Sequence, residues 1–362
     1  MIKLFNQINS ILIKKDKINL YKIIFLKFFL GIFEVISVLT FVPFFYMVTD
    51  KNFVNNNKIV NEINSILNFS EAQLTIFFLA LPLVTIIVLN FYRLLTSWIE
   101  SKTINDLWLS FHSNLFYYYL SRPYLYYIEN DSNFLLSKFI SRANEALTGL
   151  MIPMYFLAGS ILTSAVLMFM IFLFNPLVST IAIIIIIIFY LSLFKILKRK
   201  VEKFSSFSPI FSKKTFSVVE ESFKSIKSII ISGSQDFFHQ QFERNAKIYA
   251  NNSKTVQFYG LTPRSAIEIF AYSLIFAFTF FYIFFKGNNV TEIIVALGVY
   301  LITFQKLVPI LNELFSKYYS ILKNKHMFLF MMNDLAESEK LATQRRNINK
   351  IKSSFEFTDN II

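Results

Sequence analysis

The sequence has no cysteine, only 7 glycines and only 3 histidines. The lack of cysteine excludes disulfides, thiolate metal sites and cysteine nucleophiles. The glycines are widely scattered, and no G-x-x-x-x-G-K-[ST] phosphate loop occurs in the sequence. The histidines His112, His239 and His326 lie far apart, without the spacing of metal ligands, so we expect them at the surface. The chain is therefore not expected to hydrolyse ATP by itself or to hold a metal.

Charged residues are also scarce, at 16% of the chain, whereas 55% of the residues are hydrophobic. With a mean hydropathy of +0.51, the chain of 362 residues is too apolar for a soluble protein of this length. The formal net charge of +13 could suggest a nucleic-acid partner. Its one-sided distribution instead favours contact with membrane lipids, and no nucleic acid is expected.

Six apolar stretches are long enough to cross a bilayer, which takes about 20 residues per helix. They cover residues 20–48, 74–98, 147–174, 177–197, 265–285 and 293–315. Only Asn175 and Pro176 separate the third stretch from the fourth, which predicts a tight helical hairpin. The sequence therefore predicts an all-α integral membrane protein with six transmembrane helices.

The two long connections, residues 99–146 and 198–264, show amphipathic helical periodicity. We expect them to be helices that continue out of the membrane. Most Lys and Arg residues lie in these connections and near the two ends of the chain, whereas the short opposing loops contain only Lys51, Lys58 and Lys286. This asymmetry predicts that both termini and both long connections are cytoplasmic.

The chain divides into four predicted regions. Residues 1–19 form a basic, amphipathic cytoplasmic segment, and residues 20–332 form the six-helix domain. Residues 333–354 turn polar and charged, as expected of a linker. The final FEFTDNII, residues 355–362, has the alternation of a strand and is interpreted as the stub of a further domain.

Ionisable residues inside the apolar stretches are candidate functional residues, because burying each charge in a membrane costs about 2.5–3.5 kcal/mol. The candidates are Glu34, Arg93, Arg264, Glu268, Lys306 and Glu313. In one interpretation Arg93, Arg264 and Lys306 line a cavity and attract an anionic head group, since arginine binds phosphate oxygens bidentately. In the other, these groups reach the membrane edge or form structural pairs, with Arg264 and Glu268 four residues apart on one face.

The number and order of the spans, with long helical connections after the second and the fourth, resemble the transmembrane domain of ABC exporters. In that family each connection carries a short coupling helix that docks on a nucleotide-binding domain. Residues 121–146 look like the first, and residues 223–253 resemble the second. The resemblance places coupling residues at Tyr126, Tyr127, Glu129, Asp131 and Phe134, and at Gln235, Asp236, Phe237 and Phe238.

Within the superfamily, the chain resembles bacterial lipid-linked oligosaccharide flippases of the PglK type. The likeness rests on KKDK in the N-terminal segment, LNFYRLL in the second span, TPRSAIE entering the fifth and Lys306 in the sixth. It implies a homodimer in the bacterial cytoplasmic membrane that moves an amphipathic, anionic lipid-linked oligosaccharide. A peptide or drug-like amphiphile is the alternative substrate. ATP and Mg²⁺ would bind to a partner nucleotide-binding domain, whose first strand FEFTDNII resembles.

Two other functions remain open. The chain could be an inactive, truncated remnant of such a transporter. It could also be an intramembrane glycosyl- or acyltransferase, which would need a catalytic constellation near the membrane surface. Its candidates, His112, Glu129 and Asp131, show no recognisable spacing.

Overall fold

A computed structural model describes residues 2–49, 69–130, 132–174, 176–285 and 290–354. Within these ranges the regular structure is helical and no strand occurs, which confirms the all-α prediction. The stub predicted at residues 355–362 lies outside the described residues.

The first half of the chain contains three longer helices and several short ones. The helices are α1 (Ile2–Ile11), α2 (Lys14–Leu39), α3 (Phe41–Thr49), α4 (Glu71–Leu120), α5 (Tyr124–Glu129), α6 (Ser132–Ser137), α7 (Ala143–Ala146) and α8 (Ile152–Phe174). Two π-helical turns, Lys138–Arg142 and Leu147–Met151, flank α7.

The second half is built from very long helices. These are α9 (Pro176–Lys224), α11 (Gln235–Phe285) and α12 (Val290–Ser354), with the short α10 (Ile226–Ser232) between the first two. Gly233 ends α10 with a φ of 65°, a left-handed conformation that glycine adopts without strain.

In the part of the chain that the structure describes, five helical segments are long and apolar enough to cross a membrane, so the chain has the character of a membrane protein. They are Lys14–Thr49, Ala72–Leu120, Phe134–Leu173, Ser179–Ile196 and Ile294–Arg345. Each contains most of one predicted span. The remaining predicted span, residues 265–285, lies in α11, where Ser265–Ala277 is a shorter apolar segment.

The long connections are helical, as predicted. Helix α4 continues without interruption for 50 residues, about 75 Å. It begins at a capping box in which the Ser70 hydroxyl accepts from the backbone N–H of Gln73 and the Gln73 side chain accepts from the backbone N–H of Ser70. The region expected as a linker, residues 333–354, is also helical, because α12 runs through it to Ser354.

Helix α1 packs its apolar face onto other helices. Ile8 and Ile11, together with Leu12 directly after the helix, are buried in a cluster that includes Tyr155 of α8 and Phe328 of α12. The amphipathic pattern of the N-terminal segment thus corresponds to a helix that covers one end of the helical bundle.

The prediction that all three histidines lie at the surface is wrong for His112. This residue is 6% exposed and stacks on Trp108 with ring centroids 4.3 Å apart. Phe111 and Phe139 contact it edge-on. It lies on the face of α4 that packs into the cluster containing Phe111, whereas its neighbour Ser113 is exposed.

Helices α2 and α8 are in close contact through small residues. A Cβ added to Gly31 would lie 3.2 Å from the Cα of Thr163, and one added to Gly159 would meet the Lys27 side chain. The Thr163 hydroxyl donates to the backbone carbonyl of Lys27 at 2.9 Å. Small residues allow membrane helices to approach this closely.

We predict that Gly31→Leu lowers stability, because the added side chain would force α2 away from the backbone of α8. Overpacking of this kind typically costs about 1–3 kcal/mol. The thermal unfolding midpoint in detergent measures the effect. Ala80→Leu at an exposed position of α4 is the control, and equal midpoints for the two variants would contradict the close contact.

Candidate functional site: two layers of charge between three helices

Glu34 of α2 is the centre of a buried charge cluster. It is 2% exposed, and it forms an ion pair with Arg93 of α4. Its second carboxylate oxygen accepts from Nζ of Lys306 on α12 at 2.7 Å. Lys306 also donates to the Ser37 hydroxyl at 3.1 Å. One carboxylate therefore joins three helices, and we call Glu34, Arg93 and Lys306 the inner layer.

Lys27 of α2 is the centre of a second charge cluster, as Glu34 is of the first. It is 6% exposed, forms an ion pair with Glu313 of α12, and lies 3.8 Å from a carboxylate oxygen of Glu100 on α4. Its ammonium also lies 4.7 Å from the centre of the Phe156 ring, a cation–π distance. We call Lys27, Glu100 and Glu313 the outer layer.

The two layers arise from one spacing that recurs on three helices. Each helix carries a basic residue followed seven positions later by an acidic one: Lys27 and Glu34 on α2, Arg93 and Glu100 on α4, and Lys306 and Glu313 on α12. Seven residues are close to two helical turns, about 10.5 Å, so both members lie on one face. Opposite charges meet because α2 runs antiparallel to the other two helices.

Further contacts confirm these directions. The hydroxyls of Thr40 and Thr85 lie 3.0 Å apart at one end of the α2–α4 contact, and the Ser110 hydroxyl donates to Asp16 at 2.9 Å at the other. The sum of the two residue numbers stays nearly constant along this contact, as it must in an antiparallel pair.

The six charges balance, but each layer does not. The inner layer has two cations and one anion, and the outer layer has one cation and two anions. The Arg93 side chain is 51% exposed, whereas that of Glu34 is 3% exposed. An anionic group could therefore reach the guanidinium of Arg93 without displacing buried side chains, and the excess positive charge would favour it.

Of the six candidate residues, the structure brings Glu34, Arg93 and Lys306 together in the inner layer and places Glu313 in the outer layer. Glu268 is half-buried on α11, and the side chain of Arg264 lies outside what the structure describes. Lys27 and Glu100 were missed by the sequence analysis. The repeated seven-residue spacing on three apolar helices was the signal that could have found them.

In the first predicted coupling region the long helix α4 ends and the short helix α5 follows; we call α5 the first break. Helix α5 carries Tyr126, Tyr127 and Glu129, and Phe134 lies in α6, whereas Asp131 is outside the described residues. Tyr124, Leu125 and Ile128 of α5 are exposed large apolar side chains. A short helix with an apolar surface therefore lies at this turn.

Polar contacts attach this first break to the distal part of α12. The Tyr119 hydroxyl donates to Asp334 at 2.9 Å, and Lys138 pairs with the same carboxylate at 2.8 Å. The Tyr118 hydroxyl donates to Glu337 at 2.8 Å, and Arg122 pairs with that carboxylate. The charged residues after Asn333 thus bind the first break.

A second break between long helices lies within the region in which the second coupling helix is expected, residues 223–253. The short helix is α10, Ile226–Ser232, and Gln235, Asp236, Phe237 and Phe238 form the first turn of α11. Large apolar side chains are exposed on both sides of Gly233, namely Phe223, Ile226, Ile230, Ile231 and Phe237. Both breaks therefore present apolar surface.

No protein-family model matches the chain, and no curated protein matches its sequence. In the described residues, no group of three or more His, Asp or Glu side chains could hold a metal ion. His112, one candidate of the transferase interpretation, is enclosed by Trp108, Phe111 and Phe139.

We predict that Lys27→Met destabilises the protein by about 3 kcal/mol, because it leaves Glu100 and Glu313 without their buried counter-ion. Lys224→Met is the matched control. It removes an exposed pair with Glu220 within one helix, for which less than about 0.5 kcal/mol is expected. Unfolding in detergent measures both, and a similar loss for the two variants would contradict the role of the outer layer.

Proposed function

We propose that this chain is the transmembrane half of an ABC-type exporter or flippase that works with a nucleotide-binding domain. The observation that carries this proposal is the pair of helical breaks, α5 and α10. Each is a short helix that lies between two long helical segments of the chain, and each exposes large apolar side chains. Such exposed patches favour docking of a protein partner.

Helix directions support six crossings. Helices α2 and α8 run parallel, because Gly31 meets Thr163 while Lys27 meets Gly159. The chain reverses between α8 and α9, since the Ser179 hydroxyl donates to the Ile171 carbonyl at 2.6 Å.

Helix α12 runs antiparallel to α2, and therefore in the direction of α9. Helix α11 must then return across the same thickness between them, and its 51 residues are ample for this. Six crossings leave both termini on one side, where the basic residues favour the bacterial cytoplasm.

The same directions bring the two breaks to one end of the bundle. Helix α5 lies between the end of α4 and the start of α8, and α10 lies between the end of α9 and the start of α11. Both positions correspond to the end of the bundle at which α2 begins. A partner domain that docks at this end of the bundle would have both breaks on its side. In this proposal ATP and Mg²⁺ bind on that domain.

The inner layer supports an anionic, amphipathic substrate. Its excess positive charge and the half-exposed guanidinium of Arg93 suit a phosphate-containing head group, which arginine binds bidentately. Lys306 is nearly buried and would act as a point charge. A lipid-linked oligosaccharide has this chemistry, and two copies of the chain would enclose its path.

The proposal is tested by reconstituting the chain with an ABC nucleotide-binding domain encoded beside it and measuring ATP-dependent flipping of a fluorescent lipid-linked oligosaccharide. We expect Arg93→Ala to lower the flipping rate about tenfold or more, because a charge-assisted hydrogen bond contributes about 1.5–3 kcal/mol. Arg264→Ala is also expected to lower the flipping rate.

Two variants control this experiment. Arg93→Lys keeps the charge next to Glu34 but loses bidentate binding, so it should fold normally and flip slowly. Arg244→Ala, on an exposed part of α11, should flip at the normal rate. Association with the ATPase but unchanged flipping by Arg93→Ala would exclude the anion site. Absence of both association and flipping would favour the inactive remnant.

We predict that the double variant Ile231→Ser, Phe237→Ser weakens binding of the nucleotide-binding domain at least tenfold. These side chains are 76% and 65% exposed, so their loss should leave folding unchanged. Binding is measured in detergent with purified components. Ile248→Ser, on α11 away from the break, is the control, and equal binding by the control and the double variant would exclude this surface.

A further inference from the structure

Helix α2 has two different kinds of contact with its neighbours. Against α8 it is held by close packing, with Gly31 at the Thr163 backbone and Gly159 at the Lys27 side chain. Against α12 it is held by charges, through Lys27 with Glu313 and Glu34 with Lys306. We call this second contact the charged seam.

These two contacts respond differently to separation. Close-packed helices lose dispersion contacts when they separate, and in lipid no hydration replaces them. Ions are different, because water that enters between them hydrates each charge and offsets the lost Coulomb attraction. The charged seam can therefore exist in a dry, paired state and in a hydrated, open state, whereas the α2–α8 contact favours the packed state alone.

The position of Pro309 adds a bending point to the seam. It lies inside α12, between Lys306 of the inner layer and Glu313 of the outer layer. Proline cannot donate a backbone hydrogen bond to the carbonyl of Gln305, so the helical ladder is weakened in the turn that carries Lys306 of the inner layer. Helix α12 can bend here and open one layer at a time.

We propose that the charged seam is a conformational latch: the bundle opens between α2 and α12, with Glu34 as the counter-ion that holds it closed, while α2 and α8 stay together. Glu34 has this role because it alone pairs with cations from two other helices in the inner layer. The latch goes beyond the proposed function, since it depends on neither the substrate nor a nucleotide-binding domain.

The absence of cysteine allows a direct test by thiol labelling. Ser37 lies in the seam, is 0% exposed and accepts from Lys306. Thr163 lies in the α2–α8 contact and is 3% exposed. Ser37→Cys and Thr163→Cys are each introduced alone, and their reaction with a water-soluble maleimide is timed in native membranes.

We expect Ser37→Cys to react slowly, and at least tenfold faster when Glu34→Gln is added, because Arg93 and Lys306 then repel each other and admit water. Thr163→Cys should remain unreactive in both backgrounds. Lys306→Met is the second variant, which keeps the Glu34–Arg93 pair and releases α12 alone. It should also accelerate labelling of Ser37→Cys.

Either of two results would overturn the latch. If neither Glu34→Gln nor Lys306→Met changes labelling of Ser37→Cys, the seam does not open there. If labelling of Thr163→Cys rises in parallel, the variants loosen the whole bundle and the two contacts of α2 do not differ. The test uses no ATPase and no substrate, so its outcome is separate from that of the transport assay.

Discussion

The pairing of buried charges at Lys27 and Glu34 determines how the long helices are arranged. An unpaired ion in an apolar bundle is strongly disfavoured, so the buried Lys27 and Glu34 each require an opposite charge within reach. One register of α2 against α4 and α12 satisfies both. A shift by one helical turn would break both layers together. Direction and register are therefore specified by charge, while apolar packing supplies most of the contact.

The helices themselves could be predicted from the sequence because their signals are local. Apolar length predicted membrane-crossing helices, and amphipathic periodicity predicted the helical extensions, such as the 50-residue α4. The pairing of Lys27 with Glu313 could not be read in this way. It joins residues 286 positions apart, and it depends on which faces of two helices meet. Only the common seven-residue spacing was visible beforehand.

Local polarity was a poor guide where tertiary contacts supply the partners. Residues 333–354 were expected to be a linker because they are charged, and composition did not show that Asp334 and Glu337 bind tyrosines and basic residues near the first break. His112 looked like a surface residue because its segment is polar, yet aromatic rings enclose it. In both cases a polar residue on a helix lies on the face that contacts other helices, which composition does not reveal.

Helix α12 connects the two regions on which function would depend. Asp334 holds the first break, and Lys306 and Glu313 form the charged seam, all on one uninterrupted helix. Asp334 and Lys306 are separated by about 42 Å along the helix axis. A helix transmits displacement along its axis, so movement of the first break would reach the seam directly. Pro309, between the two layers, is where that displacement would become a bend. In the functions proposed above, the same helix would connect the docking surface to the pairing of the buried charges.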